Sequence, residues 1–132
     1  MLPVGFSGYI DCLEITPNNK YIITGSSDKV VSVWDFSTKK LLWQTERLDS
    51  RINNIAISPN SKFIAAIPKD AKPFVLIDVE LHKNVELIDK SVIDYDDKVS
   101  FSSDSKYLLS NSRQIVTIWD LHKKVAIKKI KH

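Results

Sequence analysis

One feature limits what this chain can fold into more than any other. A polar turn, a Lys–aromatic pair and a β-branched run closing on aspartate occur three times at nearly constant spacing. The segments are ITPNNKYIITGSSDKVVSVWDF, ISPNSKFIAAIPKDAKPFVLIDV and FSSDSKYLLSNSRQIVTIWDL. The pairs Lys20-Tyr21, Lys62-Phe63 and Lys106-Tyr107 place their aromatics 42 and 44 residues apart. The closing Trp34-Asp35, Ile77-Asp78 and Trp119-Asp120 place their aspartates 43 and 42 apart. A period of about 40–45 residues with four short strands per unit is the signature of propeller blades.

Local chemistry agrees with the period. In the first unit, strands are expected over 10–15, 21–24, 30–34 and 40–45, where β-branched and aromatic residues concentrate. Thr16-Pro17-Asn18-Asn19 reverses the chain between the first two, through a fixed proline φ and side-chain capping. Equivalent quartets begin near Ile52 and Lys98, which gives about twelve strands. No segment sustains apolar residues at helical spacing. The expected class is all-β, with three antiparallel four-stranded blades forming part of a propeller or a ring completed by oligomerisation.

These residues resemble WD40-repeat β-propeller proteins over essentially the whole chain. The domain reading is one partial propeller over 1–132, with approximate repeats 5–47, 48–91 and 92–132. The segment 5–10, GFSGYI, stands where that family has its Gly-His start. The resemblance implies a blade lock of His, Ser/Thr, Asp and Trp side chains. Here the first unit offers Thr24, Asp28 and Trp34, with Phe6 in place of His. The second has Asp70 displaced by one residue and Ile77 instead of Trp, while the third keeps Trp119 but has Arg113 at the turn. The lock is therefore expected to be degraded throughout and lost in two blades. Three units fall short of the 4–8 blades that usually close a ring, so each terminal blade should expose an apolar face.

Chemistry-bearing motifs are scarce. Glycine occurs only at 5, 8 and 25, so no phosphate-binding glycine loop can be written. The histidines at 82, 122 and 132 are far apart, and none pairs with Cys12 at zinc-ligand spacing. Cys12, in the first strand, reads as a small core residue. Asp94-Tyr95-Asp96-Asp97 lacks the alternating ligands, glycine and distal Glu of a calcium loop, and reads as a solvated acidic loop. No catalytic set, cofactor site or metal site is expected, and the chain is read as no enzyme. No apolar run can span a bilayer, and the first residues lack the pattern of a secretory signal. One cysteine and no Asn-X-Ser/Thr sequon fit an intracellular protein, cytoplasmic or nuclear.

Net charge is +3 but uneven. Residues 70–97 carry eight acids and three bases, and residues 98–132 carry eight bases and two acids. The ending HKKVAIKKIKH reads as an outer strand whose lysines block edge pairing. No aromatics interleave them as stacking platforms, which argues against nucleic acid. Trp43, on the strand expected to be outermost in its blade, reads either as a partner anchor or as packing beneath the next loop.

The function expected is a non-catalytic scaffold or adaptor segment that binds other proteins and belongs to a larger propeller. Alternatives are copies that complete a ring through the acidic and basic regions, and polyanion binding through the last strand. The resemblance implies an upper face made of inter-unit loops and loops between second and third strands. Within it Tyr9, Arg47, Arg51, Lys69 and Tyr95 are the candidate contact residues, since aromatic and Arg side chains dominate interface energetics.

Overall fold

The computed structural model describes residues 9–48, 50–69, 74–85, 98–112 and 114–131. Among them, twelve strands form three four-stranded antiparallel sheets. The first sheet holds β1 (Ile10–Ile15), β2 (Tyr21–Ser26), β3 (Val31–Asp35) and β4 (Leu41–Gln44). The second holds β5 (Ile52–Ile57), β6 (Phe63–Pro68), β7 (Val75–Asp78) and β8 (Lys83–Val85). The third holds β9 (Lys98–Phe101), β10 (Tyr107–Ser112), β11 (Ile115–Asp120) and β12 (Val125–Lys131). Each sheet is a simple meander, and β1, β5 and β9 lie along the line where successive sheets meet. β2 runs two residues past its expected end, because Gly25 and Ser26 still pair with Val31 and Ile10.

Side chains alternate across each sheet, so a blade with a neighbour on both sides must be apolar on both faces. β6 meets that demand with an unbroken buried run from Phe63 to Ile67. Ile64 and Ala66 face the first blade, where they pack with Ile23, Val33, Ile55 and Ile77. Phe63 and Ala65 face the third, where they pack with Leu76, Leu108, Trp119 and Leu121. The hydrophobic core is thus two seams, one on each side of the middle blade.

The outer faces differ. Leu13 and Ile15, on the first blade's free face, are 64% and 42% exposed. Tyr107 and Ile130, on the third blade's free face, are 37% and 44% exposed. These are apolar sheet surfaces without a covering layer among the described residues.

The meander gives the stack two ends. The turns β1–β2 and β3–β4 and their counterparts form one, here the turn end. The β2–β3 turns and the connections between blades form the other, the loop end.

Candidate functional site

At the loop end the chain rises from β1 beside the β2–β3 turn. Tyr9 and Ser27 clasp each other: the Tyr9 amide donates to Ser27 Oγ, and the Ser27 amide donates to the Tyr9 carbonyl, both at 2.8 Å. This fixes the backbone while the Tyr9 side chain stays 81% exposed. The turn is tightened by Ser26, whose hydroxyl donates to the Asp28 carboxylate, and by Lys29 at φ 71°. The Leu48 amide donates to the Lys29 carbonyl at 2.7 Å, bringing the connection that bears exposed Arg47 over the same turn.

Arg51 opens the second blade and reaches back to the first. Its Nη2 and Nε donate to the two oxygens of Asp11 at 2.9 and 3.1 Å. A bidentate fork of this kind is geometrically specific. The hydrogen bond from Arg51 holds the Asp11 carboxyl below its ordinary range against the opposing effect of burial, and the charges of Arg51 and Lys69 act in the same direction. Lys69 is tied in through its amide, 2.9 Å from the Arg51 carbonyl, and its side chain is exposed. Tyr9, Arg47, Arg51 and Lys69 therefore share the loop end, with Arg51 also spanning the seam. Tyr95 lies outside the described residues, as do Phe6, Asp70, Arg113 and the acidic run 94–97.

The Trp34 indole donates to Thr24 Oγ1 at 3.0 Å, and the Trp119 indole donates to Ser110 Oγ at 2.9 Å. The indole-to-hydroxyl contact is thus present in the first and third blades. Ser110 sits diagonally across from Trp119 as Thr24 does from Trp34, a register that strand pairing fixes. Ile77 has no donor for such a bond. The closing aspartates have a local task shared by all three blades. Asp35, Asp78 and Asp120 each accept two backbone N–H bonds from the turn that follows.

The turn end carries a relay between blades that the sequence reading missed. Thr16, Ser58 and Ser102 cap their own turns by accepting from the amides of Tyr21, Phe63 and Tyr107. Ser61 then accepts from the Asn18 amide of the preceding blade, and Ser105 from that of Asn60, both at 3.0 Å. The signal for it is the recurrence of a small polar residue, Asn19, Ser61 and Ser105, at the left-handed turn position, with φ of 60°, 63° and 61°. Asn and other short polar residues tolerate that conformation because they bond locally.

Trp43 packs against the first seam and stacks on His82 with ring centroids 5.5 Å apart. It braces the first blade against the second. Cys12 also lines that seam, half-buried, and burial pushes its thiol up to about 11. A thiol so little ionised is a poor nucleophile.

The family model described as WD domain, G-beta repeat matches residues 3–35. The chain is 29% identical over 129 residues to Small ribosomal subunit protein RACK1y of Oryza sativa subsp. japonica, covering 96% of this chain and 38% of that protein. It superposes on the structure of U3-55K with a TM-score of 0.78 at 18% identity, covering 97% of this chain and 41% of that one. The crystal structure of RRP9 WD40 repeats gives 0.76 at 17% identity, with 97% and 40% covered. The chain spans about two-fifths of the length of these relatives. Its three sheets are blades of a WD40-type propeller, and together they form a partial ring.

Proposed function

We propose that this WD40-type propeller segment is a non-catalytic scaffold that binds partner proteins through its loop end. The observation that carries the reading is the clasp between Tyr9 and Ser27 beside the Arg51–Asp11 bridge. An exposed aromatic on a hydrogen-bonded turn, next to exposed Arg47 and Lys69, loses little freedom when a partner lands on it. Binding residues concentrate on loops held by a rigid scaffold, and two packed seams supply that rigidity. The name of the rice relative, a ribosomal subunit protein, supports work inside a large assembly in the cytoplasm or nucleus.

The test is to replace Tyr9, Arg47 and Lys69 with alanine together in the full protein and to measure co-purifying proteins quantitatively. The reading expects specific partners to fall about fivefold or more, with the β-sheet circular dichroism unchanged. An unchanged set of partners removes it.

The exposed apolar faces of the first and third blades favour a second point. Further blades of the same polypeptide, or a second copy, would cover them, and coverage of only two-fifths of the relatives supports further blades.

A further inference from the structure

At the turn end, opposite the loops, a groove of about 420 Å³ opens between the second and third blades. That volume suits a few side chains of a bound segment. Its charge is one-sided. Among the described residues, Lys62, Lys83, Lys106 and Lys124 line it, all exposed, against a single lining carboxylate, Asp78. Asp78 is only 4% exposed, and one of its oxygens already accepts from the amides of Glu80 and Leu81. Asp104 and Asp120 stand nearby, each with an oxygen committed to its own turn. Beneath the lysines the floor is apolar, with Phe63 and Leu121 buried and Val85 half-buried. The walls are held together by the Asn60–Ser105 bond of the turn relay, so the groove is preformed.

We propose that this groove binds an acidic peptide segment of a partner protein, with carboxylates on the lysines and an apolar side chain against Leu81 and Val85. Charge complementarity selects the sign of the ligand. Leu81, 62% exposed, and half-buried Val85 give an apolar side chain a place to rest, a contact that a peptide offers and a sugar-phosphate backbone does not. Lysine ammonium groups act as point charges and suit carboxylates arriving at varied angles, whereas bidentate phosphate capture favours arginine. The site is separate from the loop end and from the lysines of β12, and stands whether or not the loop-end reading does. In the sequence its lysines are scattered from position 62 to 124, and only Lys124 falls within the basic ending.

The experiment is fluorescence anisotropy of the full protein with a labelled peptide of alternating Glu and Leu. A version with every Glu replaced by Gln, and an oligothymidylate of equal charge, serve as comparison probes. The expected result is binding of the Glu peptide alone, weakening as salt rises. Lys83→Gln with Lys124→Gln should weaken it about fivefold, as two exposed ion pairs are lost. Lys128→Gln with Lys131→Gln, on β12 outside the groove, should leave it unchanged, and circular dichroism should match the wild type for both pairs. Equal binding by the groove variant, a loss that follows the β12 pair instead, or tighter binding of the oligonucleotide overturns the proposal.

Discussion

Leu13 and Ile55 occupy the same register position in successive blades, yet Leu13 is 64% exposed and Ile55 only 5%. Leu13 pairs with Thr24 and Ile55 with Ala66, the corresponding residues of β2 and β6. What differs is the neighbour: the second blade has the first against that face, and the first has none among the described residues. Trp34 and Trp119 repeat the contrast, half-buried in one case and 7% exposed in the other.

The contrast sets an order of stabilities. Ile55→Ala should cost about 2–5 kcal/mol, because it leaves a cavity in the first seam. Leu13→Ala in the 132-residue chain should stay within about 0.5 kcal/mol, as a surface change does. Urea unfolding of the two variants checks this, and equal losses would mean that Leu13 is covered.

Gly25 lies against Ile52 of the second blade. A Cβ there would stand 2.8 Å from Cys12 Sγ and 2.8 Å from Ile52 Cγ2. Gly25→Ala should therefore lose about 1–3 kcal/mol by overpacking, although alanine suits a strand better than glycine. Thermal unfolding is the readout.

The turn relay can be cut without touching the core. Ser61→Ala removes the acceptor for the Asn18 amide and should cost about 0.5–1.5 kcal/mol. Ser61→Asn should cost less, since the first blade already uses Asn19 at the same left-handed position. Hydrogen exchange at Asn18 reports the bond directly: its amide should exchange faster in the alanine variant.

Acid should weaken the first seam. The Asp11 carboxyl is held below its ordinary range, first by its hydrogen bond from Arg51. A lowered folded-state pKa means that the stabilisation is complete above the unfolded value and is lost as pH falls through the folded one. The loss should begin near pH 4 and continue below it. Asp35, held low chiefly by the Thr38 amide, and Asp104, held low chiefly by the Ser102 hydroxyl, act in the same direction. Asp11→Asn should therefore melt below the wild type at pH 7, and the gap should narrow as pH falls below about 4.

The sequence carries the blades more clearly than the contacts between them. Tyr21, Phe63 and Tyr107 mark the period, and the β-branched runs beside them mark the strands, because both signals are local. The Arg51–Asp11 bridge, the Trp43–His82 stack and the nesting of Gly25 on Ile52 join residues about 27–40 positions apart on different sheets. Such contacts depend on how far one blade turns relative to the next, and no periodicity in the chain encodes that rotation. The Asn18–Ser61 and Asn60–Ser105 bonds are intermediate: their residues recur visibly, and only the direction in which they reach is hidden.

The measurement that bears most directly on the account is light scattering of the purified 132-residue chain across a concentration series, with a hydrophobic-dye titration beside it. Two uncovered apolar faces predict a mass that climbs above 15.1 kDa with concentration, or strong dye binding by the monomer, both suppressed by Leu13→Lys with Ile130→Lys. A cooperative monomer that binds no dye at any concentration would contradict the reading of three blades from an open ring.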